Sequence, residues 1–194
     1  MNKNFIKLLQ SKNTVFSYND LAYFFGNDKE KLVSKIAYYT KKWYLYKIKR
    51  WLYALDKNYN VLELATKIQK WSYISLETAL KIYSINFQYD SRIYVIWYKN
   101  EELEIDWNKI IFKVIKKEVR QNFEGIITKD NYVIATKYRA ILDTLYLYKN
   151  FFFDNLDEIN WKKLEKLAKI YNSKILEKRV NILKINYEKN EYYS

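Results

Sequence analysis

The feature that most limits what this chain can fold into is its near lack of glycine, with only Gly26 and Gly125 among 194 residues. Phosphate-binding loops and dinucleotide-binding turns need several glycines at fixed spacing, so the chain contains neither motif. Cysteine and histidine are absent. Disulfide scaffolds, thiolate zinc sites, cysteine nucleophiles and histidine-based acid–base schemes are therefore excluded, and we predict no cofactor and no metal site.

Hydrophobic residues make up 49% of the chain and charged residues 29%, which is ordinary for a globular protein of one large or two small domains. No N-terminal segment has the apolar core of a secretory signal. Every apolar run is far shorter than the roughly 18 residues that a membrane helix needs. We therefore expect a cytoplasmic protein without a membrane partner.

Positive charge is concentrated in the first third of the chain. The formal net charge is +13, and residues 1–70 carry 14 Lys and Arg against 5 Asp and Glu. Lysine, asparagine, isoleucine and tyrosine are all abundant, as in chains encoded by AT-rich DNA, so the position of the charge is better evidence than its total. The distribution favours a local basic surface that binds a polyanion.

Capping signals divide the first 42 residues into helices. Ser17 stands three residues before Asp20, the spacing of an acidic capping box that starts a second helix. That helix is predicted to end at Gly26 in a left-handed C-cap turn. Asp28 can cap the next helix, which we expect over about residues 29–42.

This third helix has two different faces at 100° per residue. One stripe is apolar and suits packing on the first two helices: Leu32, Ile36, Tyr39 and Trp43. A parallel stripe is basic, with Ser34 and Lys41 beside it: Lys31, Lys35, Tyr38 and Lys42. A helix with one core face and one lysine-rich face is typical of the recognition helix of a helix-turn-helix.

Two β-prone runs, 44–48 and 51–55, follow this helix and meet around Lys49 and Arg50. With a short first helix over 4–10, the order is that of a winged helix-turn-helix, predicted over residues 1–58. The predicted DNA-binding residues are Lys29, Lys31, Ser34, Lys35, Tyr38, Lys41, Lys42, Lys47, Lys49 and Arg50. The alternative, a solvated lysine-rich surface without a DNA partner, remains open.

Residues 59–194 are predicted as a mixed α/β domain, which makes the whole chain α+β. The predicted strands are 92–98, 103–107, 110–115 and 132–135. The predicted helices are 61–69, 76–80, a helix capped by Thr136 and running to Tyr148, and a helix or pair of helices over 157–184.

Acid pairs leave a magnesium-dependent nuclease as the alternative function. The pairs are Glu101/Glu102, Glu104/Asp106 and Asp157/Glu158. No acid in the chain is followed two residues later by lysine, a spacing that a common nuclease class requires, so we predict that the protein is not an enzyme. Asp143, on an apolar helix, is predicted to be a hydrogen-bonded structural acid.

A second alternative is a basic adaptor or membrane-surface protein that does not read DNA. Six tryptophans and 21 tyrosines make that conceivable. Most of these aromatics fall at core spacing, and no segment pairs a wholly basic face with an extended aromatic one.

Four segments, in order along the chain, resemble the AbiEi antitoxins of type IV, or abortive-infection, toxin–antitoxin systems. Residues 72–80 (SYISLETAL) are similar to the family's "sYISLesAL" segment, and residues 134–146 (IATKYRAILDTLY) to its "iAtpEKAllDlly" segment. Residues 16–22 resemble the start of its winged helix, and residues 48–55 (IKRWLYAL) its "ikrGlYal" wing.

The chain also departs from this family pattern. Trp51 replaces the usual wing glycine, and Trp43 stands where a turn glycine is common. Residues 137–139 (KYR) replace the family's Pro-Glu-Lys, so any role of that family glutamate is absent here.

The resemblance implies a winged-helix DNA-binding domain followed by an α/β antitoxin domain. It implies a repressor of its own promoter that counters a nucleotidyltransferase-like toxin without forming a tight complex with it. Operators in this family are inverted repeats, so two copies of a monomer or weak dimer are expected on the DNA.

Overall fold

The protein, seen here as a computed structural model, is described over residues 3–191. This part of the chain is mixed α+β, as predicted, with two β-sheets. Its nine α-helices are α1 (Lys3–Leu9), α2 (Tyr18–Phe25), α3 (Lys29–Lys41), α4 (Val61–Ile68), α5 (Leu76–Ile82), α6 (Lys117–Gln121), α7 (Lys137–Leu147), α8 (Trp161–Ala168) and α9 (Lys174–Glu191).

Nine strands alternate with these helices over the same residues. They are β1 (Val15–Ser17), β2 (Tyr46–Lys49), β3 (Leu52–Ala54), β4 (Tyr73–Ile74), β5 (Ile93–Trp97), β6 (Glu101–Ile105), β7 (Asn108–Val114), β8 (Ile126–Lys129) and β9 (Tyr132–Ala135). The sequence predicts a helix or a pair of helices over 157–184, and the structure has the pair, α8 and α9, with a short 3-10 turn at Lys169–Tyr171 between them. The pair begins at Trp161 and extends to Glu191, so both predicted bounds are displaced.

The first sheet has three antiparallel strands in the order β1-β3-β2, and α1, α2 and α3 pack with it. Strand β1 was not predicted from the sequence. Val15 pairs with Ala54 and Ser17 with Leu52, so β1 exists because β3 returns beside it. The predicted apolar face of α3 is confirmed for Leu32, Ile36 and Tyr39, which are buried in a core cluster.

The predicted caps in this region are confirmed, with one exception. The Ser17 hydroxyl accepts a hydrogen bond from the Asp20 amide at 3.1 Å, and the Asp20 carboxylate accepts one from the Ser17 amide at 2.8 Å. Asp28 caps α3 by accepting from the Lys31 amide at 3.1 Å. The left-handed turn predicted at Gly26 is wrong, because this residue combines φ 97° with an extended ψ of 157°.

The prediction that Trp43 packs in the core is also wrong. Helix α3 ends at Lys41, and Trp43 takes a left-handed φ of 60° that turns it outward, leaving it 86% exposed. Leu45, two residues later, enters the core cluster. Trp51, in the turn between β2 and β3, has a similar φ of 67°. Bulky residues rarely take this conformation, so both turns carry backbone strain.

The second sheet has six strands in the order β6-β7-β5-β4-β9-β8. The pairs β5/β7 and β4/β9 are parallel, and the other neighbours are antiparallel. The predicted strand over 103–107 is displaced, because β6 ends at Ile105 while Asp106 and Trp107 form a left-handed turn. Strand β8 was not predicted from the sequence.

Helices α5, α7, α8 and α9 build the core of this second region around a buried ion pair between Arg139 and Asp143. Asp143 accepts hydrogen bonds from Tyr73, Ser75 and Tyr171 at 3.1, 2.8 and 2.6 Å, and from Arg139 at 3.2 Å. Asp143 is thus hydrogen-bonded, as predicted. Burial raises the pKa of its carboxyl, and the guanidinium and the three hydroxyls oppose that rise.

A polar seam joins the first region (residues 3–58, with the three-stranded sheet) to the second region (residues 59–191, with the six-stranded sheet). Glu63 of α4 is fully buried and accepts hydrogen bonds from the Thr14 amide at 2.8 Å and the Thr14 hydroxyl at 2.7 Å. The Lys67 ammonium lies 3.0 Å from the Glu63 carboxylate and 3.2 Å from that of Asp20. Val15 also packs into the second core. The contact between the regions is therefore specific.

Candidate nucleic-acid interface

Helix α3 and the β2–β3 hairpin carry nine of the ten residues predicted to bind DNA, and the tenth, Lys42, is the C-cap of α3. Nine of these side chains are exposed: Lys29, Lys31, Ser34, Tyr38, Lys41, Lys42, Lys47, Lys49 and Arg50. Lys35 is half-buried. The sequence pattern therefore separated the surface residues of α3 from its core residues correctly, apart from Trp43.

Several of these cations are free to meet a ligand. Over residues 3–191, neither an ion pair nor a side-chain hydrogen bond engages the ammonium groups of Lys29, Lys41, Lys42, Lys47 and Lys49. Lys31 pairs with Asp28 at 3.2 Å, although both side chains are largely exposed. Lys35 instead donates to the Phe25 carbonyl at 3.2 Å and so closes the end of α2.

A first groove runs between α3 and the hairpin, with a volume of about 430 Å³. Val33, Ala37 and Lys41 line it from α3, and Lys47 and Trp51 line it from the hairpin. We call this the helix–hairpin groove. It has a mostly apolar floor with one lysine on each wall, which suits a partner that carries both apolar and anionic groups.

A second groove, of about 680 Å³, lies on the other side of the hairpin turn. We call it the basic groove because four cations line it: Lys29, Lys49, Arg50 and Lys67. The two grooves share Tyr18 and Trp51, whose rings meet edge to face at 5.1 Å. Lys67 was missed by the sequence reasoning, because nothing in its local pattern distinguishes it from any other lysine of a helix.

The lysine stripe of α3 does not join these grooves. At 100° per residue, Lys31, Lys35, Tyr38 and Lys42 lie roughly opposite the helix positions that face the hairpin. The structure therefore brings Lys41 together with the hairpin cations and leaves the stripe on the far flank of α3. The lysine stripe on one side, and Lys41 with the hairpin cations on the other, flank one exposed face of α3.

That exposed face lies opposite the buried residues of α3. Its positions are Glu30, Ser34, Ala37 and Lys41. Glu30 is its one acid and opposes the binding of a polyanion at the N-terminal end of the helix. The face is otherwise small or basic, so it allows close approach of another surface.

Five of the six acids that suggested a nuclease have partners within the described residues, Glu104 being the exception. Glu102 pairs with Lys109 at 3.4 Å. Asp106 accepts hydrogen bonds from Tyr46 at 2.9 Å and from Tyr59 at 2.8 Å, and the first of these raises the pKa of the Tyr46 hydroxyl. Over residues 3–191, the acids form no group of three that could hold a metal ion.

A scan against protein-family models and a search of curated proteins both give no match to this chain. The resemblance to AbiEi antitoxins therefore stays a prediction. Within residues 3–191, no helix has the length and apolar character needed to cross a membrane.

Proposed function

We propose that residues 1–58 are a winged helix-turn-helix domain that binds double-stranded DNA, with α3 as the recognition helix and the β2–β3 hairpin as the wing. The element order is helix, strand, two helices and hairpin, and the sheet order is β1-β3-β2. A surface helix followed by a basic hairpin suits docking of the helix in a major groove with the hairpin on the backbone beside it.

The observation that carries this proposal is the set of unpaired cations around the two grooves. Lys29, Lys41, Lys47 and Lys49 lack a partner within the described residues, and the Arg50 guanidinium lies 5.4 Å from the centre of the Trp51 ring. When free cations on one surface contact DNA phosphates, the counterions condensed on the DNA are released, and this release drives binding.

We assign these residues to different roles from their positions. Ser34 and Lys41 lie on the exposed face of α3 and would approach base edges. Lys47, Lys49 and Arg50 would contact phosphates or an adjacent minor groove. Lys31, Tyr38 and Lys42 would meet the backbone on the far side of the major groove, and Lys29 the backbone near the wing.

The biological role we propose is autorepression by an antitoxin similar to AbiEi. The protein would bind inverted repeats in its own promoter as two copies and counter a nucleotidyltransferase-like toxin without a tight complex. The four matching segments support this role, and the winged helix would supply the repression. The free cations bear on DNA binding alone.

Fluorescence anisotropy with a labelled duplex from the DNA upstream of its own gene tests the DNA-binding proposal. We expect a complex of two copies per duplex that a scrambled duplex of the same composition does not compete away. The variant Lys41→Ala/Lys47→Ala/Lys49→Ala/Arg50→Ala should lose about 100-fold or more in affinity, because it removes up to four phosphate contacts.

The matched control removes the same charge elsewhere. Lys162, Lys163, Lys166 and Lys169 are exposed lysines of α8 and the turn after it, and their replacement by alanine should leave the affinity for DNA within about threefold. Equal losses in both variants would mean that only net charge matters. No loss in the first variant would move the interface away from α3 and the hairpin.

The antitoxin role needs its own test. The toxin candidate is the product of the gene beside this one. Co-expression of our protein with that product should restore the growth of cells that the toxin alone inhibits. Rescue that survives in the four-residue variant would assign neutralisation to residues 59–194. Absence of rescue, with DNA binding intact, would leave a repressor without the antitoxin role.

A further inference from the structure

A cavity in the second region combines aromatic and cationic side chains in its lining. It has a volume of about 720 Å³ and lies where the end of α4, the end of β5 and α6 meet. Its aromatic wall is made of Trp71, Trp97, Tyr98 and Phe123. The volume falls within the range of sites for small ligands.

Three of these four aromatic side chains are exposed, and the fourth is buried and contacts one of them. Trp97 is buried, and its ring lies 4.0 Å from that of Tyr98 and 5.6 Å from that of Phe112. Trp71, Tyr98 and Phe123 are exposed. Such rings form a platform on which another flat ring can stack.

The polar lining of the cavity is cationic. Its cations are Lys70 and Arg120, its amides are Gln69 and Gln121, and none of the described residues that line it is acidic. The Arg120 guanidinium lies 5.6 Å from the centre of the Tyr98 ring. Its Nε is buried and lacks a hydrogen-bond partner among the described residues, an unsatisfied state that native proteins rarely keep.

Trp71 adds a strained backbone to the cavity. It has a φ of 63° and is 80% exposed, so a bulky ring is held at a position that favours glycine. Burial does not explain a tryptophan there. Trp43, Trp51 and Trp107 have the same kind of φ, so this strain does not mark a ligand site by itself. At Trp71 it coincides with the aromatic and cationic lining of a cavity, as strained residues at ligand sites do.

From this geometry we infer that the cavity binds a nucleotide. The base stacks on the aromatic wall beside Trp71, and Arg120 and Lys70 bind the phosphate. Gln69 and Gln121 meet the polar edge of the base. A planar aromatic ring attached to an anion matches the pairing of an aromatic wall with cations. The nucleotide is either free or an unpaired nucleotide of a single strand.

This site does not depend on the proposed DNA-binding surface. Ile68 and Gln69 also line the basic groove, so the two sites adjoin. The aromatic wall and Arg120 belong to the cavity alone. Variants of Trp71 and Arg120 should therefore leave binding to the promoter duplex unchanged.

Calorimetric titration of the full chain with AMP, GMP, CMP and UMP tests the inference. At least one should bind with a stoichiometry of one, about tenfold or more tighter than its nucleoside or inorganic phosphate alone. A single-stranded trinucleotide is the second arm. Tighter binding of that strand assigns the site to unpaired nucleic acid, and equal or weaker binding assigns it to a free nucleotide.

Two variants and a matched control locate the site. Trp71→Gly should weaken binding by about tenfold or more and keep the fold, because glycine accepts the positive φ. Arg120→Gln should remove the preference for nucleotide over nucleoside. Trp107→Gly changes another exposed tryptophan, with a φ of 71°, in the β6–β7 turn outside the cavity, and should change nothing.

Circular dichroism of each variant shows whether it is folded. The inference is overturned if no nucleotide binds saturably to the folded wild-type protein at millimolar concentration. It is also overturned if folded Trp71→Gly and Arg120→Gln proteins bind nucleotides as tightly as the wild type, or if Trp107→Gly weakens binding as much as Trp71→Gly does.

Discussion

The two regions of the protein use positive charge in opposite ways. In the first region, Lys41, Lys47 and Lys49 project into solvent without a partner among the described residues. In the second, Arg139 is fully buried and donates to Asp143, to Tyr73 and to three backbone carbonyls. A buried charge must be paired and hydrogen-bonded, whereas an exposed lysine can stay unpaired at little cost.

This contrast separates two kinds of mutational effect. Removal of the buried pair should change the free energy of unfolding and affect binding only through the fold. Removal of the exposed lysines should change binding and leave stability nearly unchanged.

The largest effect is expected for Asp143→Ala. The change leaves the Arg139 guanidinium buried beside Tyr73 and Tyr171 without its counter-ion, which typically costs about 3–5 kcal/mol. Urea unfolding followed by circular dichroism gives the free energy. A loss below about 1 kcal/mol would mean that the pair is not a structural centre of this region.

The next effect tests the seam between the regions. Glu63→Ala leaves the Thr14 amide and the Lys67 ammonium without their buried acceptor, so we expect a loss of about 2–4 kcal/mol. Because Glu63 joins the regions, loss of the contact should also let them unfold separately. Differential scanning calorimetry should show one transition in the wild type and a broadened or double one in the variant.

Glu158→Ala is the control for this prediction. Glu158 pairs with Lys137 at 3.2 Å but is 88% exposed, so its loss should cost less than about 0.5 kcal/mol. A single sharp transition in Glu63→Ala, at an unchanged temperature, would contradict the seam as described.

A smaller effect distinguishes two lysines of the α3 stripe. Lys35→Ala removes the hydrogen bond to the Phe25 carbonyl and should cost about 1 kcal/mol, whereas Lys31→Ala removes an exposed pair with Asp28 and should cost almost nothing. Thermal unfolding of both variants checks this. Equal stabilities would mean that Lys35 is as free as its neighbours.

The smallest effect concerns Asp90, an intermediate case between the exposed cations and the buried pair. Hydrogen bonds from Arg92 hold the pKa of the Asp90 carboxyl at about 2. Because this pKa is depressed, its stabilising effect is present above the unfolded value near 3.9 and is lost as pH falls toward 2. The melting temperature of the wild type should fall more than that of Asp90→Asn between pH 5 and pH 2. If the melting temperatures of the wild type and Asp90→Asn fell by the same amount over this pH range, the depressed pKa of Asp90 would be contradicted.

Local signals made much of the first region, and one helix cap of the second, predictable. A cap involves a side chain and an amide at most three residues away, so Ser17, Asp20, Asp28 and Thr136 could be assigned from spacing alone. The residues on the core face of α3 could be predicted from the helical period of its apolar residues. The exposure of the predicted site residues within α3, apart from the half-buried Lys35, followed from the same period.

Contacts between distant segments could not be predicted in this way. Strand β1 has three residues and forms only because β3 returns beside it. The side of α3 on which the hairpin lies decides that Lys41 joins the hairpin cations while Lys31 does not, and no local pattern encodes that side. The cavity of Trp71 and Arg120 joins residues about fifty positions apart.

The salt dependence of binding tests most directly our proposal that the free cations of α3 and the hairpin neutralise DNA phosphates. We predict that log K for the promoter duplex falls with log salt concentration at a slope near −5, as for about six neutralised phosphates. A slope near zero, or no binding to that duplex at low salt, would contradict the claim.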